Sequence, residues 1–211
     1  MYGSTLITAP VAEPLSLYEV KQHVQLPQEY VAHDGYLSAL ITAAREYCEQ
    51  QTGRACITQT WDYTFDTWPL TAIRDVYLDG TIYLPLSPIQ SVTSVKYYDQ
   101  SGVQQTWSSA NYTVSTSKEP CEIRRNYQTS WPIARYQPDA ITIRFVAGYG
   151  DTGSSVPRAL RQAMLLLVGH WFDQRNAATE KQLLTVPHAA DALLATYAIG
   201  DEFHQYGANI A

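Results

Sequence analysis

The sequence predicts an α+β fold with a four-helix α-bundle. The bundle is formed by N- and C-terminal helix pairs, and a mostly antiparallel β-rich insertion lies between helices 2 and 3. Three observations lead there. Apolar residues recur at helical spacing near both ends of the 211-residue chain. Between those ends, period-two alternation with turn dipeptides takes over. Neither helix pair has a partner for its apolar stripe unless it meets the other, because an amphipathic helix is stable only against another element.

The first helix opens at "LSLYEV". Ser16 and Glu19 have capping-box spacing, with Leu15 and Val20 set for a hydrophobic staple. It should run from Leu17 to about Gln25 and stop before Pro27. The second helix, capped by Asp34, carries Tyr36, Leu37, Leu40, Ile41, Ala44, Tyr47 and Cys48 on one stripe and ends at Gly53. From Ile57 the texture turns to strand. Trp61, Tyr63 and Phe65 alternate with polar residues. Asp79-Gly80 is a hairpin signal, Asp99 to Gly102 is a turn, and "ANYTVST" and "AITIRFVAG" are further strands. "KEPCEIRRNYQTSWPIARYQPDA" reads as a short strand followed by a long loop. After Pro157, a residue suited to a first helical turn, Leu160, Ala163, Met164, Leu167, Val168, Trp171 and Phe172 share a face. A polar link follows. Pro187 then opens a fourth helix with Ala190, Leu193, Leu194 and Tyr197, closed by Gly200. The expected domains are therefore a discontinuous helical bundle (14–56 and 156–200), a β-rich insertion (57–150) and a C-terminal tail (201–211).

Composition narrows the function. Fourteen basic residues face 20 acidic ones, a net charge of −6. That opposes tight gripping of nucleic acid, which works by counterion release to basic side chains. Charged residues are only 16%, while there are 16 Tyr and five Trp. Such rings suit protein interfaces and equally suit strands. Cys48, Cys56 and Cys121 have neither zinc-finger nor disulfide-framework spacing. The longest apolar run, Ala163 to Val168, is far too short to span a bilayer, so no membrane partner is expected.

The chain contains a literal G-x-G-x-x-G at Gly148, Gly150 and Gly153, the pattern of a dinucleotide loop. Its context is wrong. A residue before proline is pushed out of the helical region, so no helix begins before Pro157 and the glycines lie outside the first turn. The preceding strand belongs to a meander rather than a βαβ unit. The acidic residue at the expected distance, Asp173, sits on a helix. No cofactor is expected. His23, His33, His170, His188 and His204 show no metal-ligand spacing, so no metal is expected either. Cys48 falls on a core stripe, His170 reads as a satisfied, partly buried residue, and Asp62 and Asp66 should face solvent beside an aromatic strand. No catalytic set emerges and the chain is not expected to be an enzyme. "SWPIARYQP" holds Trp131, Arg135 and Tyr136, which suit packing against a neighbouring subunit or another protein; Arg124 and Arg125 more naturally pair with carboxylates than with phosphate.

The ordered segments "PLSLYEVKQHVQL", "DGYLSALITAAREYCEQQTGRACITQTW", "PLSPIQSVTSVKYYDQSG", "ITIRFVAGYG", "VPRALRQAMLLLVGHWFDQR" and "VPHAADALLATY" closely resemble the head–tail connector (adaptor, or head-completion) proteins of long-tailed bacteriophages. The resemblance spans Pro14 to Tyr197 and matches the family's longer, β-inserted form. It implies a structural virion protein of the neck, assembled in the host cytoplasm. The family forms a homo-oligomeric ring, typically dodecameric, below the portal protein. The ring extends the DNA channel, touches passing DNA only transiently and docks the stopper or tail-completion protein. The family's C-terminal segment often reaches the portal; here that segment would offer Phe203, Tyr206 and Ile210. Arg124, Arg125, Trp131, Arg135 and Tyr136 are candidates for subunit or neck-protein contact. The competing expectation is a carbohydrate- or receptor-binding module of a phage tail, working through Trp61, Trp107 or Trp131 in a groove.

Overall fold

The computed structural model describes residues 2–68, 80–174 and 188–199. The Asp79-Gly80 turn, the polar link, Pro187, Gly200 and the tail residues Phe203, Tyr206 and Ile210 lie outside those residues, wholly or in part. The described elements are β1 (Tyr2–Thr8), α1 (Leu17–His23), α2 (Asp34–Thr52), β2 (Gln59–Phe65), β3 (Ile82–Tyr83), β4 (Ile89–Tyr98), β5 (Gln104–Trp107), β6 (Tyr112–Ser115), β7 (Glu122–Arg125), β8 (Ile141–Ala147), α3 (Arg158–Asp173) and α4 (His188–Ala195). The fold is α+β. The described residues divide into two compact units, one comprising residues 2–9, 58–68, 80–148 and 199, the other residues 10–57, 149–174 and 188–198.

In the helical unit all four helices feed one buried cluster. Val20, Leu37, Ala44, Cys48, Leu160, Ala163, Met164, Leu167, Val168 and Ala190 are fully buried in it. The stripes of α2 and α3 supply most of these, as their spacing dictates. α1 starts with the complete capping box: Glu19 N donates to Ser16 Oγ at 3.2 Å, and Ser16 N donates to Glu19 Oε2 at 2.9 Å. The bond from Ser16 N favours the ionised carboxylate, so the Ser16 backbone holds the Glu19 pKa below its ordinary value, with the Ser16 hydroxyl and Arg161 adding to the effect. Arg161 also donates to the Pro14 carbonyl, tying α3 to the segment before α1.

Two boundaries differ from expectation. α1 ends at His23, because Gln25 adopts φ 58° and the Leu26 amide turns back to the Lys21 carbonyl. Asp34 is not the cap of α2; it is the first helical residue, and His33 precedes it with no side-chain cap bond. Its carboxylate instead meets the buried Lys21 ammonium at 2.6 Å, which also donates to the Gln28 carbonyl. A buried ammonium needs a counter-charge more than a helix end needs a cap. Gly53 closes α2 in the left-handed conformation, φ 66°.

The middle of α2 is held by charge. Arg45, 8% exposed at its side chain, reaches Glu13 at 2.9 Å and Glu49 at 2.8 Å. Glu13 also accepts from Thr42. The other oxygen of Glu49 accepts the Cys56 amide at 2.8 Å. Beyond Gly53, Arg54 donates to the Tyr197 carbonyl and the Tyr149 hydroxyl, joining the end of α2 to the residues after α4.

In the β unit, one antiparallel sheet runs β1-β2-β8-β4-β5 and a smaller one runs β3-β7-β6. The register of β2 and β8 pairs Phe65 with Ile141, Tyr63 with Ile143 and Trp61 with Phe145. One face of the large sheet is therefore aromatic and aliphatic, and Tyr63, Phe65, Val95, Ile141, Ile143 and Phe145 are buried. On the other face Asp62 opposes Arg144 and the two form a bidentate pair at 2.7 Å. Asp62 was expected to point freely to solvent; the cross-strand position gives it a guanidinium partner, leaving its side chain 14% exposed. The Asp99 carboxylate closes the β4–β5 turn by accepting from Gln105 and from the Val103 and Ser101 amides.

The strand β1 was not anticipated. Its sequence, YGSTLIT, has no clear apolar–polar alternation, and four of its seven residues are Gly, Ser or Thr. Pairing with β2 places Tyr2 against Tyr63 and Phe65, with ring centroids 6.1 and 5.4 Å apart.

Candidate interaction surfaces

The G-x-G-x-x-G stretch has a steric explanation. Gly148 and Gly150 have φ of 130° and 154°, a region that L side chains rarely adopt. A Cβ on Gly153 would lie 2.4 Å from the Pro14 carbonyl oxygen. The glycines serve a tight exit from β8 and a close backbone approach. A short 3-10 turn, Gly153–Ser155, intervenes before α3 begins at Arg158, so the loop does not sit on the helix N-terminus as a phosphate cradle requires.

The cysteines are buried thiols. Burial pushes Cys48 up to about 12 and Cys121 up to about 11, and Cys56 is raised further still. A thiol in that range has almost no thiolate at neutral pH and is a poor nucleophile. His170 on α3 shares a 3.4 Å hydrogen bond with Gln174, the residue that follows the helix. Among the described residues no cluster of His, Cys, Asp and Glu is placed to hold a metal ion. No helix among them is long and apolar enough to cross a membrane.

The most developed surface feature is the loop from residue 126 to 139, between β7 and β8. It is anchored at short intervals. Asn126 donates to the Ala110 carbonyl at 2.7 Å and accepts from Thr113 at 2.6 Å. Thr129 donates to the Asn111 carbonyl. Trp131 stacks on Trp68, ring centroids 4.4 Å apart at 17°, and lies 4.6 Å from Trp107. Trp107 in turn stacks on Tyr112. The Trp68 indole N–H donates to the Pro132 carbonyl at 2.8 Å. Further along, the Arg135 amide donates to Tyr98, Gln100 donates to the Ala134 carbonyl, and the Asp139 amide donates to Asp66.

Between the anchors, large side chains stand in solvent: Tyr127 is 91% exposed, Ile133 79% and Tyr136 86%. Ordering a loop before it binds removes part of the entropy that binding would otherwise have to overcome. Exposed aromatic side chains on such a loop are what protein interfaces use as anchors.

The contact residues expected from sequence divide accordingly. Arg135 and Tyr136 are exposed on this loop, and Arg135 reaches over Gly102, where a Cβ would come within 2.6 Å of its guanidinium. Trp131 is turned inward, in the tryptophan stack. Arg124 pairs with Glu122 at 3.0 Å within β7, and Arg125 donates to the Thr129 carbonyl, which helps to hold the loop's base. Phe203, Tyr206 and Ile210 lie outside the described residues. Tyr127 and Ile133 were missed; Tyr127 sits between polar residues and Ile133 between Pro132 and Ala134, and only the packing of Trp131 and Asn126 shows which way they face.

The fold and this surface define a class: an α+β protein whose described side chains support two compact units and a rigid, ring-bearing loop. The chain belongs to the head completion protein family, which it matches over residues 14–183. Among solved structures it is similar to a chain in the neck of an empty gene transfer agent (GTA) particle, computed with C6 symmetry (TM-score 0.73, 21% identity, covering 94% of this chain and 96% of that one). It is also similar to a chain in the neck of the native GTA particle computed with C12 symmetry (TM-score 0.70, 22% identity, 94% and 96%). A third similar chain is in the virion of the native GTA particle (TM-score 0.69, 23% identity, 93% and 95%). At these identities what is shared is the fold. No curated protein matches the sequence.

Proposed function

We propose that this chain is a structural head–tail connector of a phage-like particle. It sits at the head–tail junction of the virion after assembly in the host cytoplasm. Twelve copies form a ring below the portal protein, extend the DNA channel, and give the stopper or tail-completion protein its platform. The helical unit is a four-helix bundle that forms the constant body of the ring, and the β unit is the insertion that faces partners. Membership of the head completion protein family is the observation that carries this reading. The fold shared with chains of GTA necks supports it. A heterologous contact, repeated by rotation, closes into a ring. The net charge of −6 suits a channel through which DNA passes without being held. No catalytic role is assigned.

Within this reading, Arg135 and Tyr136, with Tyr127 and Ile133, meet a neighbouring subunit or neck protein. Phe203, Tyr206 and Ile210 dock on the portal. A glycan-binding module is disfavoured because Trp107 and Trp131 are spent on each other and on Trp68 instead of lining an open platform. Cryo-electron microscopy of the particle neck tests the proposal: density for this chain is expected between portal and tail, and a neck without it refutes the role. Particles carrying a chain cut after Gly200 test the tail separately. They are expected to fail at portal attachment, and normal attachment would remove the docking role of Phe203, Tyr206 and Ile210.

A further inference from the structure

Among the described residues, the large sheet of the β unit ends in two open edges, β1 and β5. Among the described residues, β2 is the only strand that pairs with β1, and β4 the only one that pairs with β5. Each edge thus presents a row of backbone N–H and C=O groups. Monomeric proteins blunt such edges with charge, proline or bulges, because an open edge templates pairing with another chain. Here the blunting is slight: β5 is short, and β1 has one bulge toward its far end. Tyr2–Thr8 and Gln104–Trp107 contain no charged residue and no proline. The one irregularity in β1 is a register shift between Leu6 and Thr8, so Tyr2 to Leu6 remain a regular strand. Thr5, Leu6 and Ile7 are exposed, as are Gln104, Gln105 and Thr106.

We infer that β1 of one copy pairs with β5 of the next, so that the sheets of neighbouring subunits join edge to edge. The inference rests on the ring reading above and supplies its contact. Strand direction selects the partner. All neighbours in the five-stranded sheet are antiparallel, so its two outer strands run the same way. A rotation about an axis roughly along the strands brings β5 of one copy beside β1 of the next without inverting either, and the same step can be repeated round a ring. The resulting ladder is parallel, with evenly spaced, slanted hydrogen bonds. Pairing β1 with β1 of a second copy would instead need a two-fold axis; it would stop at a dimer and leave β5 open. The four residues of β5 make a contact far smaller than the roughly 1,600 Å² of a standard interface. The ladder therefore forms when copies are already held side by side, as they are on a portal.

Disulfide trapping in assembled particles tests the pairing. Thr5→Cys is combined with Thr106→Cys in one chain and with Gln104→Cys in another, covering neighbouring registers of β5. The native cysteines are buried and stay silent. Mild oxidation is expected to give a ladder of multimers beyond the dimer on a non-reducing gel. Dimers alone, appearing equally with Thr5→Cys by itself, would assign a two-fold contact and overturn the inference. Absence of multimers from both double variants, with the chain present in the neck, would also overturn it while leaving the connector role intact. A neck lacking the chain would remove that role and the inference together. With the unmodified chain, amides of Tyr2 to Leu6 and Gln104 to Trp107 should exchange at least about tenfold more slowly in particles than in the isolated protein; unchanged exchange at both edges rejects the pairing.

Discussion

Replacing Glu49 with alanine should be the most damaging single change to the helical unit outside its apolar core. The carboxylate has two buried duties: it neutralises the Arg45 guanidinium at 2.8 Å and accepts the Cys56 amide at 2.8 Å. Breaking a buried ion pair from one side costs about 3–5 kcal/mol. Glu13 still faces Arg45 in the variant, which places this part nearer the low end. Leaving the Cys56 N–H unsatisfied adds about 1–3 kcal/mol, and groups in one network do not sum fully. The expected loss is about 3–5 kcal/mol. Glu49→Gln keeps one oxygen for the Cys56 amide but gives up the charge and turns an NH2 donor toward Arg45, so it should lose less than the alanine variant, about 2 kcal/mol. Urea unfolding measures both, with amide exchange in α2 and α3 reporting the helical unit, since two units need not unfold together. A loss below about 1 kcal/mol for the alanine variant, or equal losses for the two variants, would refute the account of this network.

Other consequences can be checked in the isolated protein. Ser16→Ala removes the N-cap of α1 and should lower stability by about 1 kcal/mol in thermal melts. The lowered pKa of Glu19 stabilises the fold above the carboxyl's unfolded value and is lost as pH falls through the folded value; Glu19→Gln should flatten the acid side of a stability-versus-pH curve. Gly153→Ala drives a methyl against the Pro14 carbonyl and should cost about 1–3 kcal/mol, whereas Gly35→Ala, with open space around its Cβ in α2, should be neutral or stabilising by up to about 1 kcal/mol. Native protein at pH 8 should leave its thiols unmodified by a disulfide reagent until denaturant is added; fast labelling of the folded chain would contradict the burial of Cys48, Cys56 and Cys121. Trp131→Ala should lose about 2–3 kcal/mol, less than the ~3–5 of a fully buried tryptophan, and alter the near-ultraviolet dichroism of the stack.

The helices were legible because their signals are local and redundant. Ser16-x-x-Glu19, Gly53 and the three- and four-residue recurrences in α2 and α3 each state the same thing. The alternation of Trp61, Tyr63 and Phe65 likewise marked β2, and the context of the three glycines argued against a phosphate loop. What escaped depends on partners distant in sequence. β1 is a strand because β2 lies beside it, not because "YGSTLIT" insists on it. Asp34 looked like a cap until Lys21, buried by the turn after α1, claimed its carboxylate. Asp62 looked solvated until the register of β8 set Arg144 opposite. The direction in which Tyr127 and Ile133 face follows from a tryptophan stack contributed by three separate stretches of chain.

The helical unit is split in sequence: α1 and α2 are made first, and α3 and α4 appear only after the 91 residues from Thr58 to Gly148. At about 5–20 residues per second, the apolar stripe of α2 stays bare during synthesis for roughly 5–20 s. A ribosome that stalls within the β unit releases a chain whose helices have no core to join. Such fragments leave apolar surface exposed, which makes them prone to aggregation and degradation, so completing the β unit is a condition for a stable helical core.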